Sequence, residues 1–194
     1  MPKPVIGIHV PRRGNRVTRW LGSALLAIFG WRVDGTFPDR RKFVAIIAPH
    51  TSNWDFFFGI CAIFAVGIRV SWIGKHTLFR WPFGRVMRWL GGTPVDREMS
   101  SGRVDRTIAL IEQRESFILG VSPEGTRRRV ARWRSGFYHV AVGAGVPILL
   151  THLDYSRRVV GVGPTFEPTG DEQADLDSIR AFYDVRWARH PQQF

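Results

Sequence analysis

The sequence predicts an α/β fold: a single domain with a largely parallel central sheet flanked by helices, preceded by an N-terminal interfacial helix. Three observations predict it. Short apolar runs with β-branched residues alternate with longer helical stretches, as expected when parallel strands return through helices. No repeat, low-complexity tract or Pro-rich linker divides the chain. A length of 194 residues with 44% hydrophobic content suits one domain with a buried core rather than a disordered chain. The expected division is a membrane-associating helical segment over residues 1–35 and the α/β domain proper over 36–194.

The first element is the apolar run Trp20 to Trp31, directly after Arg12, Arg13, Arg16 and Arg19. Basic residues beside an aromatic-rich apolar stretch suit a helix lying in a membrane interface; an ordinary helix packed on the core is the alternative. The run is shorter than the roughly 20 residues needed to span a bilayer, and no small-residue cleavage site comes after it. Phe43 to Ala48 (FVAIIA) reads as a buried strand, and Phe56 to Val66 as a helix apolar nearly all round. Val70 to Ile73 is a short strand, and Pro82 to Leu90 a helix ended by Gly91 and Gly92.

Val104, Ile108 and Ile111 fall at i, i+4 and i+7, with Ser100 or Ser101 as N-cap. Phe117 to Val121 is the next strand. Phe137 to Val142 reads as a helix that stops near Gly143 and Gly145, with strands after it at Val146 to Thr151 and Val159 to Val162. Leu176, Ile179, Phe182 and Trp187 form the apolar stripe of one C-terminal helix.

Charge narrows the partners. Lys and Arg number 28 against 16 for Asp and Glu, a formal net charge of +12. Such a chain attracts nucleic acid, anionic lipid or phosphorylated small molecules. Cys61 is the only cysteine, so no intrachain disulfide forms, and an oxidising compartment is not required. Its apolar surroundings favour a buried, inert thiol. His9, His76, His139, His152 and His190 show no metal-ligand spacing with cysteine, so their expected role is structural and no metal is called for.

In open α/β sheets ligands bind beyond the carboxyl ends of strands, so the residues after each strand carry the chemistry. After FVAIIA comes Pro49-His50-Thr51-Ser52-Asn53-Trp54-Asp55. On one continuous helix His50 and Asp55 would sit on different faces. They meet only if a turn intervenes and the helix starts near Asn53 to Asp55, with Thr51, Ser52 or Asn53 as cap. A carboxylate on one imidazole nitrogen fixes the tautomer and leaves the other nitrogen as a general base. Ser52 lacks a G-x-S-x-G elbow and reads as a cap rather than a nucleophile.

Two further turns offer arginines. Beyond Phe117 to Val121 lies Ser122-Pro123-Glu124-Gly125-Thr126-Arg127, in which Arg127 supplies a fork suited to a phosphate and Glu124 can orient it or accept from a hydroxyl. GGTPVDR, from Gly91, ends on Arg97. One base and two arginines suit a reaction on a hydroxyl near a phosphate. Arg128, Arg129, Arg132 and Arg134 extend the second turn into a basic stripe, for coenzyme A phosphates, an acidic carrier protein, anionic lipid or solvent.

HTSNWD, GGTPVDR, SPEGTR and VPILL, in that order from His50 to Leu150, resemble the motif blocks of the glycerolipid acyltransferase family, which includes 1-acylglycerol-3-phosphate acyltransferases. The resemblance implies that His50 is the base and Asp55 its orienting partner. It places Arg97, Glu124, Gly125, Thr126 and Arg127 on acceptor-binding blocks and Lys75 on a basic position ahead of the second block. Val146 and Pro147 fall on a block tied to the acyl pocket. Pro49, Ser122 and Pro94 depart from common family residues, which bears on the identity of the acceptor.

The implied activity is transfer of a fatty acyl group from a thioester, acyl-CoA or acyl carrier protein, to the hydroxyl of a lysophospholipid, with 1-acylglycerol-3-phosphate as the default acceptor. A lyso-aminolipid or a glycolipid are the alternatives. No cofactor is implied beyond the donor substrate. The implied location is the cytoplasmic face of an anionic membrane, as a peripheral or monotopic protein. From another class, a basic nucleic-acid-binding module would use Trp72, Trp81, Trp89 and Trp133 as stacking surfaces. No recognition motif supports it, and Gly74-Lys75-His76 fails the P-loop pattern, so no specific nucleic-acid partner is expected.

Overall fold

A computed structural model of the chain describes residues 4–95 and 102–194, apart from the side chains of Lys75 and Val95. Its strands are β1 (Arg32–Gly35), β2 (Lys42–Ile47), β3 (Ser71–Lys75), β4 (Gly92–Val95), β5 (Phe117–Val121), β6 (Ile148–Asp154) and β7 (Val159–Phe166). They form one sheet in the order β1-β7-β6-β2-β5-β3-β4. Every neighbouring pair is parallel except β6 and β7.

The helices are α1 (Arg16–Ile28), α2 (Asn53–Val66), α3 (Gly84–Trp89), α4 (Arg103–Gln113), α5 (Gly136–Gly143) and α6 (Glu172–Ala181). They cover the sheet on two sides. Phe43 and Ala45 of β2 join Leu149 in a core with Leu26 of α1 and Phe58, Cys61 and Ala62 of α2. Val44 and Ile46 point the other way, into a core with Ile111 of α4, Val140 and Ala141 of α5, and Ile179 of α6. A strand buried on both faces has no polar position to spare, which is why FVAIIA lacks the alternation of a half-exposed strand.

α1 lies along α2 because Gly22 has no side chain. A Cβ there would come 2.6 Å from the Ala65 amide nitrogen and 2.7 Å from the Cys61 carbonyl oxygen. Its inner side buries Leu26, and its outer side leaves Val17, Trp20, Leu21 and Ile28 exposed. Among the described residues no helix is long and apolar enough to cross a membrane.

Several features depart from the sequence reading. The N-cap of α4 is Gly102, in the left-handed region, while Ser100 and Ser101 lie outside the described residues. β1 has no counterpart in it; the strand is a short edge element pairing with β7. β4 occupies residues that read as a turn, because Gly92 and Pro94 are poor strand formers. It lies at the other edge of the sheet, where proline costs least. β7 runs antiparallel to β6, joined to it by the tight turn at residues 155–158. The C-terminal helix stops at Ala181. Asp184 then accepts the Arg186 amide at 2.8 Å and caps a separate 3-10 turn, Val185–Trp187, from which Trp187 stacks on His152 at 4.1 Å.

Candidate active site

β6, β2 and β5 are parallel neighbours at the centre of the sheet, so the segments that leave their carboxyl ends emerge side by side. β2 delivers Pro49 to Ser52 and then α2. Ser52 is the N-cap of α2 and accepts the Trp54 amide at 3.2 Å. Asp55, at the third helical position, closes the capping box by turning its carboxylate back over the turn. Its Oδ2 accepts the Thr51 and Ser52 amides, each at 2.7 Å. The same oxygen lies 3.1 Å from His50 Nδ1. Capping the helix and holding the histidine are therefore one act by one side chain.

Asp55 is 3% exposed, whereas the His50 side chain keeps 26% of its surface. With Nδ1–H donating to Asp55, Nε2 carries the lone pair and makes no hydrogen bond among the described residues. The dyad can take a proton at Nε2 from a bound hydroxyl and hold the resulting imidazolium beside a fixed carboxylate. Ser52 Oγ accepts the Trp54 amide in its capping role and makes no hydrogen bond to His50 among the described residues.

β5 delivers Ser122 to Arg127. Glu124 is 4% exposed and faces inward: Oε1 accepts the His50 amide at 2.9 Å and Oε2 accepts the Ser122 hydroxyl at 2.6 Å. Burial raises its carboxyl above the ordinary range, while these two donors pull the other way and burial wins. Gly125, at φ +62°, makes the turn that aims Glu124 inward, and a Cβ there would press on Arg134 at 2.8 Å. Thr126 Oγ1 accepts the Arg128 amide at 3.4 Å. Arg127 is exposed and its guanidinium donates to Asn53 Oδ1, at the start of α2.

Lys75 ends β3, on the same edge of the sheet, two strands from β2. Arg97 lies outside the described residues. Val146 packs in the core beside α5, and the Pro147 carbonyl accepts the Val44 amide at 3.0 Å. Among the described residues no group of three or more His, Cys, Asp or Glu could hold a metal ion.

Sequence reasoning missed the third side of the site. Tyr155 comes just after β6, and its hydroxyl donates to Asp55 Oδ1 at 2.5 Å. Arg189 lies 5.4 Å from the centre of the Trp54 ring and 5.9 Å from that of Tyr155. The His190 amide donates to Thr51 Oγ1 at 3.3 Å. The Gln193 side-chain amide lies against the Thr51 and Arg127 carbonyls, and turned so that its nitrogen donates it reaches them at 2.9 and 2.8 Å. The rule that ligands bind beyond the carboxyl ends of strands reaches Tyr155 too. For Arg189 and Gln193 the sequence carries no signal, because they arrive from a C-terminal segment with no motif.

The chain is 29% identical over 149 residues to a 1-acyl-sn-glycerol-3-phosphate acyltransferase of Haemophilus influenzae, covering 72% of this chain and 60% of that protein. It is 28% identical over 150 residues to the Escherichia coli (strain K12) enzyme of the same name, covering 73% of this chain and 58% of the relative. The chain thus spans about three fifths of the length of these curated relatives. In fold it is similar to the 1-acyl-sn-glycerophosphate (LPA) acyltransferase PlsC from Thermotoga maritima, with a TM-score of 0.60 at 19% identity over 87% of this chain and 80% of the other. The model of the family described as Acyltransferase matches residues 31–150, more than half of the chain and both motif turns, and the chain belongs to that family.

Proposed function

We propose that the protein transfers a fatty acyl group from an acyl thioester to the hydroxyl of a lysophospholipid, 1-acylglycerol-3-phosphate, in phospholipid biosynthesis. The observation that carries this reading is the 3.1 Å contact between His50 Nδ1 and a buried Asp55, with Nε2 left for a substrate. Nε2 takes the proton of the acceptor hydroxyl as its oxygen attacks the thioester carbonyl. The tetrahedral intermediate collapses by breaking the carbon–sulfur bond, and the departing thiolate takes the proton back from Nε2. General-base help of this kind contributes about 10²–10⁴ in rate.

The acceptor's phosphate meets arginine. Arg127 stands at the rim of the site beside Asn53, and Arg189 lies over the ring of Trp54, the next residue of the same helix start. Lys75, Arg97, Gly125 and Thr126 complete the binding blocks in this reading, with Glu124 holding the turn from within. The names of the curated relatives support a phosphate-bearing acceptor. A lyso-aminolipid or glycolipid would use the same base with other contacts. The donor is acyl-CoA or acyl carrier protein, either of which suits a rim rich in arginine, and no resident cofactor takes part.

The protein works as a peripheral or monotopic enzyme on the cytoplasmic face of an anionic membrane. The support is α1, whose outward side presents Val17, Trp20, Leu21 and Ile28 among Arg16 and Arg19. Phe29, just after it, meets Trp54 at 5.6 Å, so this apolar side continues to the mouth of the site. Acyl transfer from labelled acyl-CoA and acyl carrier protein to a panel of lysolipids tests the reading. It expects product with 1-acylglycerol-3-phosphate; product on a different lysolipid alone would replace the acceptor.

A further inference from the structure

We infer that Tyr155 is a positioning residue of the reaction, tuning the His50–Asp55 pair through the carboxylate oxygen that the histidine does not use. This inference rests on the acyl-transfer reading of the site. Asp55 Oδ2 is shared by the Thr51 and Ser52 amides and by His50 Nδ1. Oδ1 has the Tyr155 hydroxyl, at 2.5 Å. A bond of this length between a phenol and a carboxyl oxygen fixes the plane of the carboxyl group.

Tyr155 is built to be held there. Its amide donates to the Trp187 carbonyl at 3.0 Å. Its ring meets Trp31 edge-on at 4.9 Å and lies 6.2 Å from Phe58, while Arg189 covers it at 5.9 Å. Burial, reinforced by Asp55, keeps the phenol protonated far beyond its ordinary range, so it acts as donor and never as base. The chain thus brings a residue 100 positions away to a carboxylate that its own helix cap already holds.

The consequence is electronic. A donor on Oδ1 withdraws negative charge from the carboxylate and weakens its hold on a protonated imidazole. Asp55 therefore grips the imidazolium less tightly than it would with Oδ1 free. Removing the donor does the reverse.

The test compares wild type, Tyr155→Phe and His50→Ala in acyl transfer to 1-acylglycerol-3-phosphate across pH, with thermal melts to verify folding. For Tyr155→Phe the expected result is a roughly tenfold fall in kcat, because the carboxylate that orients His50 is no longer held in its plane, with little change in KM. The acidic limb of its pH–rate profile should move to higher pH. Incorporation of 3-fluorotyrosine at position 155 keeps the ring and strengthens the donor, and should move that limb the opposite way. This second variant decides the matter if Tyr155→Phe does not fold. Unchanged kcat and unchanged limbs in a folded Tyr155→Phe, with His50→Ala inactive, would overturn the role of Tyr155 alone. An unmoved limb in the fluorotyrosine protein would do the same. Full turnover by His50→Ala would overturn the acyl-transfer reading itself and this role with it.

Discussion

Glu124 Oε1 accepts the backbone N–H of His50 at 2.9 Å, so the turn after β5 holds the turn after β2 by the main chain of its central residue. The carboxylate is buried and pointed away from solvent. It therefore acts on the histidine's position, whereas Arg127 in the same turn faces outward to Asn53.

Stability should carry the signature of that burial. In the folded protein Glu124 takes up its proton above its usual value of 4.5. Between 4.5 and the raised value the native state holds a proton that the unfolded chain has released, so stability falls as pH rises through that window. Glu124→Gln removes the titration. The difference in Tm between wild type and variant should shrink or reverse from acid to neutral pH in paired melts. A wild-type advantage that grows with pH would mean that the His50 and Ser122 donors outweigh burial.

Arg127→Ala should raise the KM for a phosphate-bearing lysolipid by about tenfold or more, the cost of one charged hydrogen-bond partner, and change kcat less. Steady-state kinetics with a phosphate-free acceptor as comparison separates the two. Equal losses on both acceptors would remove the phosphate from Arg127.

The outer side of α1 offers a clean membrane test. Deleting the segment would disturb the core, because Val10 and Leu26 are buried. Trp20 and Ile28 are 69% and 74% exposed, so Trp20→Ser with Ile28→Ser leaves the interior intact. Co-sedimentation with phosphatidylglycerol vesicles should fall about tenfold or more, from the lost burial of two large side chains, with an unchanged Tm. Undiminished binding would take α1 off the membrane.

Cys61 is buried in the α1–α2 core, and burial pushes its thiol up to about 11. A maleimide should therefore label the native protein slowly at pH 8 and label it readily in denaturant. Fast native labelling would show that α1 opens from α2 under these conditions.

Much of this is legible in the sequence because it is local. FVAIIA and Phe117 to Val121 mark central strands by lacking polar residues, and both motif turns come directly after them. Edge elements are harder: β1 is four residues long, and β4 is written in glycine and proline. The antiparallel turn-back of β7 and the break after Ala181 depend on contacts such as Trp187 on His152 that no periodicity records. The site divides the same way. His50, Asp55, Glu124 and Arg127 lie in short motifs, whereas Tyr155, Arg189 and Gln193 reach it only through the path of the folded chain.

The central claim is that His50 Nε2 removes the acceptor's proton, and one substitution tests it most directly. Wild type and His50→Ala, shown by melts to be folded, would be compared in transfer of a labelled acyl group from acyl-CoA or acyl carrier protein to 1-acylglycerol-3-phosphate. The expected result is product from the wild type and a loss of at least about 10²-fold in kcat for the variant, with KM little changed. Turnover by His50→Ala at the wild-type rate would contradict it.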